Sequence, residues 1–236
     1  MIDGALRLNH IYNMDCLAGL KEMASKSVDV AFTSPPYNRV RNDTYAHYDD
    51  TRSNYLEWLI EITNELLRVA KKKVIINLQM NHFNKVDICC YIGHFAKNMQ
   101  GIIVWEKTNP QPHSAQFDDG TYSVTNAYEF FFVLGEDGTK FRANNRVKNV
   151  ISSTVNATHF KGHGAVMKEE IADWFVQNFT SINDVIVDPF MGCGTTGVAA
   201  VKANRKYIGF EIAKQYCDIA TDRIRAAEIE QIRLEV

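Results

Sequence analysis

The protein has 236 residues and a formal net charge of −2; 46% of its residues are hydrophobic and 23% are charged. This length and composition suit one globular domain, residues 1–236, with a full hydrophobic core. The near-neutral charge alone argues neither for nor against a nucleic-acid partner. No apolar run is long enough to cross a bilayer, and the opening residues MIDGALRLNH lack the pattern of a signal peptide, so we expect a cytoplasmic protein.

The cysteines are expected to be reduced thiols. Their number is odd and no two of them form a C-x-x-C pair, which argues against a disulfide framework and against a zinc site. We therefore expect no metal centre. The five cysteines are Cys16, Cys89, Cys90, Cys193 and Cys217.

Apolar or β-branched runs alternate with helical patterns along the whole chain. The runs predict strands at Val28–Thr33, Val74–Leu78, Gly101–Trp105, Glu129–Leu134, Val185–Asp188 and Lys206–Glu211. Helical spacing predicts helices near 15–24, 54–70, 82–98, 167–180, 195–204 and 213–230. Strands that alternate with helices indicate an α/β fold, with a largely parallel twisted sheet that carries helices on both faces.

Three polar stretches interrupt this alternation, at residues 38–53, 106–127 and 135–165. In an open α/β sheet, the loops that follow the carboxyl ends of strands carry the ligands. Within the third stretch and just beyond it, Gly138 to Lys168, the sequence contains six basic residues and no acidic one. Such a run suits a phosphate backbone, and a solvated basic loop is the alternative.

The stretch TSPPYN, residues 33–38, follows a predicted strand directly. Two adjacent prolines fix two φ angles and remove two backbone donors, so the chain is rigid at this point. A hydroxyl, Ser34, and an aromatic ring, Tyr37, flank the pair. A rigid turn after a strand is the simplest interpretation of this stretch by itself.

The stretch VIVDPFMGCGTTG, residues 185–197, combines a strand ending at Asp188, a turn with Gly192 and Gly194, and a helix start. Glycines let the backbone approach a ligand closely, and a helix N-terminus attracts an anion such as a carboxylate. Glu211 ends the next predicted strand, about 20 residues later, the spacing at which an acid commonly accepts ribose hydroxyls. A tight turn with a surface glutamate is the alternative.

Together the two stretches resemble the S-adenosylmethionine-dependent amino-methyltransferases. Residues 34–37 match the catalytic [DNS]-P-P-[YF] motif, and residues 188–196 match the cofactor loop D-P-F-x-G-S-G-T, with Cys193 in the usual serine place. The catalytic motif precedes the cofactor motif, an order that resembles the β class of DNA methyltransferases. Residues 105–110, WEKTNP, resemble the W-x-K-x-N-P segment near the target base, and residues 163–168 resemble an H-P-A-x-[FM]-P element.

The resemblance implies a Rossmann-like fold, S-adenosyl-L-methionine as cofactor and double-stranded DNA as substrate. It assigns catalysis to Ser34, Pro35, Pro36 and Tyr37. It assigns cofactor binding to Asp15, Thr33, His163, Asp188, Phe190, Gly192, Gly194, Thr195, Thr196 and Glu211. The DNA contacts that we expect are Asn38, Arg39, Arg41, Lys107, Asn109, Lys140, Arg142, Arg146, Lys148 and Lys161. A short target-recognition insert is expected near 135–165.

The expected reaction explains the catalytic motif. An exocyclic amine is a poor nucleophile, because its lone pair is delocalised into the base. The Ser34 hydroxyl and the Pro35 carbonyl can each accept one N–H, which leaves the lone pair to attack a methyl group. Tyr37 can stack on a base drawn out of the duplex.

Ser34 and the H-x-A-x-M segment favour the N4 amine of cytosine over the N6 amine of adenine, which stays the alternative. An RNA or protein amino-methyltransferase and a catalytically silent DNA- or cofactor-binding module are weaker hypotheses. The motifs determine neither a paired restriction endonuclease nor a homodimer, although both are compatible with the family.

Overall fold

A computed structural model describes residues 6–38, 51–110, 117, 119–122, 124–155 and 166–234. In this part of the chain eight strands and six helices form an α/β fold. The strands are β1 (His10–Tyr12), β2 (Val28–Thr33), β3 (Ala70–Leu78), β4 (Met99–Lys107), β5 (Tyr128–Leu134), β6 (Val150–Ser153), β7 (Val185–Asp188) and β8 (Lys206–Phe210). The helices are α1 (Cys16–Lys21), α2 (Tyr55–Val69), α3 (Lys85–His94), α4 (Glu169–Phe179), α5 (Thr195–Lys202) and α6 (Lys214–Leu234).

The strands form one sheet in the order β1-β8-β7-β2-β3-β5-β4-β6. Strand β5 is antiparallel to both of its neighbours, and the other pairings are parallel. The largely parallel sheet expected from the sequence is therefore confirmed. The carboxyl ends of the parallel strands meet at one edge of the sheet, which we call the carboxyl edge. Because β5 runs the other way, its first residues also lie there.

Helices cover both faces of the sheet, as the alternating pattern predicts. On one face, α1, α2 and α3 pack through side chains such as Leu20, Leu59 and Ile88, which are fully buried. On the other face, α4, α5 and α6 pack through side chains such as Phe175 and Ile224. The central strands are apolar on both sides because each is covered twice.

All six predicted strands and all six predicted helices are present, with ends shifted by a few residues. Two further strands, β1 and β6, have no counterpart in the prediction. Strand β6 corrects the expectation of an irregular stretch over 135–165, because Val150–Ser153 pairs with β4. Both missed strands are short edge strands with one partner each, so their residues carry little periodicity. None of the helices in the described ranges is long and apolar enough to span a membrane.

Two helical glycines should respond to alanine in opposite directions. A Cβ atom at Gly19 in α1 would lie 2.4 Å from the ring of Phe210, which is fully buried in β8. A Cβ atom at the exposed Gly93 in α3 would meet no atom within 4 Å. We expect Gly19→Ala to lower the free energy of unfolding by about 1–3 kcal/mol through overpacking.

For Gly93→Ala we expect a gain of about 0.5–1 kcal/mol, because alanine loses less backbone entropy in a helix. Urea unfolding of both variants measures the difference. Equal changes in the two free energies would contradict the packing of α1 on β8.

Candidate active site

The carboxylate of Asp188, at the end of β7, joins the two sequence motifs. Its Oδ1 atom accepts hydrogen bonds from the Thr33 hydroxyl at 2.6 Å and from the Phe190 amide at 3.0 Å. Its Oδ2 atom accepts one from the Thr196 hydroxyl at 2.6 Å. Burial raises the pKa of Asp188, and these three hydrogen bonds oppose that rise. Four predicted cofactor residues, Thr33, Asp188, Phe190 and Thr196, thus hold one another, and they support the loop between β7 and α5.

The turn at Gly192 and Gly194 depends on glycine. Both residues have positive φ angles, 50° and 83°, which other residues rarely adopt. A Cβ atom at Gly194 would also lie 2.9 Å from the Cα atom of Ala220, so α6 packs directly on the turn. The Arg223 guanidinium, also on α6, donates to the Cys193 carbonyl. It also pairs with Glu169 at 2.6 Å. The turn is therefore held by α6, and Glu169 at the start of α4 holds the Arg223 side chain.

Helix α5 begins at Thr195, directly after this turn. The Thr195 hydroxyl lies 3.5 Å from the Met167 carbonyl, which precedes α4. The segment before α4 therefore contacts the predicted cofactor loop.

Glu211 follows β8 on the carboxyl edge, beside this turn. One carboxylate oxygen accepts the Gly192 amide and the other accepts the Ala213 amide, both at 2.8 Å. Burial raises the pKa of Glu211, and the backbone hydrogen bonds oppose the rise. Each carboxylate oxygen can accept a second hydrogen bond. A fixed carboxylate beside a glycine turn fits a ribose of the expected cofactor.

The backbone carbonyl groups of Pro35, Pro36 and Tyr37 differ in whether a donor reaches them. Tyr55 donates to the Pro36 carbonyl at 2.9 Å, and Asn84 donates to the Tyr37 carbonyl at 2.7 Å. No donor among the described residues reaches the Pro35 carbonyl. The rigid segment therefore keeps one acceptor available, and it is the acceptor that the sequence assigned to the target amine.

The hydroxyl groups of Ser34 and Tyr37 belong to a polar cluster at the carboxyl edge. They lie 2.9 Å apart, and both contact the Asn77 Oδ1 atom, at 3.1 Å from Ser34 and 2.5 Å from Tyr37. The Tyr37 hydroxyl also lies 3.1 Å from Glu129 Oε2. Only 8% of Tyr37 is exposed, so the protein holds its hydroxyl as well as its ring.

Asn77 and Glu129 belong to no motif in the sequence and were not predicted to take part in the site. Asn77 is 1% exposed and Glu129 is 6% exposed, although both lie in otherwise apolar runs, Val74–Leu78 in β3 and Tyr128–Leu134 in β5. A polar residue inside an apolar strand run was the available signal, since such residues are rarely buried without partners. The signal does not name the partners, because Tyr37 lies far from Glu129 in the chain.

Lys107 and Asn109, the predicted DNA contacts at the end of β4 and just after it, already have protein partners. The Lys107 ammonium group lies 2.6 Å from Glu129 Oε1, and the Lys107 side chain is 11% exposed. The Asn109 side chain accepts the Val155 amide at 2.7 Å, which ties the ends of β4 and β6 together. Lys107 therefore lies next to the catalytic motif, with its charge paired inside the protein.

Asp15 caps helix α1, since its Oδ1 atom accepts the amides of Leu17 and Ala18 at 2.9 and 3.0 Å. The cap leaves the second carboxylate oxygen for other contacts. The predicted contact of Asp15 with the cofactor stays a prediction.

Asn38 joins two segments of the chain, a role that the sequence did not predict. Its side-chain amide bonds both the amide and the carbonyl of Arg52, at 2.9 and 3.2 Å. Arg52 in turn lies over the ring of Trp58, 4.4 Å from the centroid, and Trp58 contacts Phe190 edge-on. Asn38 is 7% exposed, so it joins two chain segments and is not presented on the surface.

The chain leaves the carboxyl edge along β5. Because β5 is antiparallel, its last residue, Leu134, lies beside Val74 in the first half of β3. Further along, the Asn144 amide donates to the carbonyl of Asn178, near the end of α4. Residues 135–145 therefore run along the opposite, amino edge of the sheet.

Two predicted phosphate contacts lie on this path and two more follow it before β6. Phe141 stacks on Phe179, the last residue of α4, which places the neighbouring Lys140 and Arg142 at this edge. Burial and the charge of Arg142 lower the pKa of Lys73. The four residues are exposed and precede β6; they are Lys140, Arg142, Arg146 and Lys148. The structure thus places Lys140 and Arg142 away from Ser34, because strand direction carries them to the amino edge. The remaining predicted contacts Arg39, Arg41, Lys161 and His163 lie outside the described residues.

Comparison with known proteins agrees with this geometry. A sequence model of the N6_N4_Mtase family, described as DNA methylase, matches residues 28–222. The type II methyltransferase M.HinfI of Haemophilus influenzae is 26% identical over 275 aligned residues, which cover 97% of this chain and 73% of that protein. M.Cfr9I of Citrobacter freundii, also a type II methyltransferase, is 29% identical over 279 aligned residues, which cover 95% of this chain and 90% of that protein.

Solved structures share the fold. The PvuII DNA methyltransferase (cytosine-N4-specific) superposes with a TM-score of 0.72 at 16% identity, covering 97% of this chain and 96% of that one. The M1.HpyAVI–SAM complex gives a TM-score of 0.65 at 23% identity, covering 91% and 98% of the two chains. The family match spans most of the chain, so the protein belongs to the N6/N4 DNA methylase family, enzymes that transfer a methyl group from S-adenosylmethionine to an exocyclic amine of a DNA base.

Proposed function

We propose that the protein methylates the exocyclic N4 amine of cytosine in double-stranded DNA. The observation that carries the proposal is the position of Ser34. Its hydroxyl lies on the carboxyl edge, it contacts Asn77 and Tyr37, and it sits one residue after Thr33, which bonds the cofactor loop through Asp188. The catalytic hydroxyl and the cofactor loop are therefore neighbours at one edge of the sheet.

The cofactor would lie between the carboxyl ends of β7 and β8. Glu211 would accept ribose hydroxyls, and the glycine turn with the start of α5 would face the amino-acid part. Asp15, at the start of α1 beside β1, would contact the adenine region. When bound, S-adenosylmethionine supplies an electrophilic methyl group on a sulfonium.

The protein's part in the reaction is to hold the target amine. The Ser34 oxygen and the Pro35 carbonyl would each accept one N–H of the amine. Acceptance of both hydrogens aims the nitrogen lone pair away from the protein, and both hydrogen bonds strengthen as positive charge develops on nitrogen. The proline pair keeps the Pro35 carbonyl in place without a competing donor.

Cytosine is favoured over adenine because the catalytic motif begins with Ser34, where adenine enzymes mostly carry aspartate. The structural neighbour with the TM-score of 0.72 is named as cytosine-N4-specific, which is consistent with this preference. Adenine N6 is the alternative, since the family model covers both bases. The two possibilities give different modified nucleosides.

DNA would approach the carboxyl edge. We therefore omit Asn38, Lys140 and Arg142 from the proposed contacts and retain Arg39, Arg41 and Lys161, which the sequence predicts. Lys107 would lie near the target base with its charge paired to Glu129, and it would not contact a phosphate. This revision follows from burial and strand direction.

Nucleoside analysis tests the reaction and the base. DNA treated with the enzyme and cofactor should yield N4-methylcytosine on digestion and mass spectrometry. Ser34→Ala should lower the single-turnover rate about 100-fold, because one acceptor of the developing charge is lost. Ser27→Ala is the matched control, since the Ser27 hydroxyl is buried before β2 and has no partner among the described residues.

N6-methyladenine as the product would overturn the cytosine assignment but would not affect the proposed mechanism. A Ser34→Ala rate equal to that of Ser27→Ala would remove Ser34 from the mechanism.

Glu211 should control cofactor affinity. Glu211→Ala should weaken binding by about 1.5–3 kcal/mol, the value of hydrogen bonds to a charged group. Because burial raises the pKa of Glu211, the carboxylate takes up its proton at a higher pH than an ordinary glutamate. Affinity should therefore begin to fall on acidification above the usual carboxyl range, and Glu211→Gln should abolish that step.

Calorimetry over a pH series measures both effects on cofactor binding. Glu65→Gln, on α2 and paired with Arg68, is the control and should change neither. Unchanged affinity in a folded Glu211→Ala protein would rule out the ribose contact.

Salt dependence should separate the two groups of basic residues. Lys161→Ala should reduce the slope of log affinity for DNA against log salt by about 0.9, the value for one phosphate contact on a duplex. Lys140→Ala and Arg142→Ala should leave the slope unchanged, because both side chains lie at the amino edge. Fluorescence anisotropy at several salt concentrations provides the slopes. A reduced slope for Arg142→Ala would mean that DNA also contacts the amino edge.

A further inference from the structure

The buried ion pair between Lys107 and Glu129 lies directly behind the catalytic motif. Glu129 is 6% exposed, and its two carboxylate oxygens face different partners. Oε1 lies 2.6 Å from the Lys107 ammonium group, and Oε2 lies 3.1 Å from the Tyr37 hydroxyl. The pair thus touches the catalytic segment through one hydroxyl group.

Stability alone gives little reason for this pair. Taking two charges out of water costs about as much as their attraction returns, and apolar residues of similar volume are often as stable or more stable. Glu129 interrupts an otherwise apolar strand, Tyr128–Leu134, where an apolar side chain would pack well. A charge kept at this position points to a role in the neighbouring site.

The hydroxyl protons of Ser34 and Tyr37 show what that role is. Four contacts join the two hydroxyls to each other, to Asn77 Oδ1 and to Glu129 Oε2, and only two protons are available to fill them. The Asn77 amide is oriented, because its Nδ2 atom donates to the Phe130 carbonyl at 3.2 Å. Asn77 Oδ1 and Glu129 Oε2 are therefore acceptors only, while each hydroxyl can donate or accept.

The carboxylate decides between the possible arrangements. Hydrogen bonds to an ionised acceptor are stronger than those to a neutral one. Glu129 and Asn77 together hold the Tyr37 proton on their side, so Tyr37 does not donate to the Ser34 oxygen. Ser34 then uses its own proton toward Tyr37 or Asn77, and its oxygen lone pair stays open toward the substrate.

We propose that Glu129, held by Lys107, is a positioning residue for methyl transfer, which keeps the Ser34 oxygen as an acceptor for the target amine by drawing the Tyr37 proton away from it. The proposal rests on the proposed function of Ser34 as that acceptor. Lys107 has a second effect, because it fixes which oxygen of Glu129 faces Tyr37. Glu129 acts through Tyr37 and does not itself touch the substrate.

Glu129→Gln is the informative change because it conserves shape and reverses polarity. Lys107 would attract the amide oxygen, so the amide nitrogen would face Tyr37 and donate to its oxygen. We expect the single-turnover methylation rate at saturating cofactor and DNA to fall about 10-fold to 100-fold, the effect of one hydrogen bond to a charged group. Cofactor and DNA affinities should stay within about twofold, because the lost interaction acts in the transition state.

A double-mutant cycle with Tyr37→Phe tests whether Glu129 acts through the Tyr37 hydroxyl. If Glu129 acts only through the Tyr37 hydroxyl, Glu129→Gln should have no further effect on the rate in the Tyr37→Phe protein. Independent, additive effects of the two substitutions would overturn the proposal. An unchanged rate in Glu129→Gln alone would also overturn it.

A second pair of variants separates positioning from stability. Glu129→Gln leaves Lys107 buried without a counter-charge, whereas Lys107→Met with Glu129→Leu removes both charges together with the acceptor that faces Tyr37. The double variant should regain thermal stability and keep the low rate; recovery of the rate as well would reduce the pair to a packing element and overturn the proposal. Asp184→Asn, which breaks a pair with Lys72 at the amino edge, is the control and should retain the rate.

Ser34→Ala distinguishes failure of the positioning role of Glu129 from failure of the proposed function of Ser34. If Ser34→Ala is inactive and the coupling between Tyr37 and Glu129 is zero, only the positioning role fails. If Ser34→Ala retains full rate, the proposed function of Ser34 fails and the positioning role fails with it.

Discussion

The buried carboxylate of Asp188 is the interaction on which the rest of the site depends. Its bond to Thr33 joins residues 155 positions apart in the chain and ties the end of β2 to the end of β7. Thr33 directly precedes Ser34, and the same carboxylate holds the Phe190 amide and the Thr196 hydroxyl. A buried charge is costly without such donors, and here three of them share the task. One side chain therefore joins the segment that carries Ser34 to the loop between β7 and α5.

A second constraint comes from the direction of β5. As the strand that is antiparallel within a parallel sheet, it begins at the carboxyl edge and brings Glu129 beside Tyr37 and Lys107. For the same reason it carries the following residues to the amino edge. One strand reversal thus adds a carboxylate to the polar cluster at Ser34 and Tyr37 and takes a basic segment away from it.

Several side chains at the carboxyl edge hold backbone groups in place. Asp15 caps α1, Asn38 joins its own segment to Arg52, and Glu211 bonds the amides of Gly192 and Ala213. Such contacts do not compete with binding, because a carboxylate oxygen can accept twice. They place the acceptors before a ligand arrives, and a pre-organised site loses less entropy on binding.

The amino-acid sequence by itself determined the elements and the two motifs. The alternation of strand and helix patterns, the rigid segment at Ser34–Tyr37 and the glycine turn before Thr195 are local features, and local features can be read from spacing. Their order along the chain was sufficient to indicate the family. The short edge strands β1 and β6 were missed, because a three- or four-residue strand forms only beside its partner.

Tertiary structure alone decided which side chains meet. Sequence spacing does not say that Thr33 bonds Asp188, that Tyr37 contacts Glu129, or that Lys107 is paired and buried. Nor does it say that Lys140 and Arg142 lie at the edge opposite Ser34. Each of these outcomes depends on strand order and strand direction in the sheet. Those are set by the packing of the whole domain, to which any short stretch of residues contributes only a part.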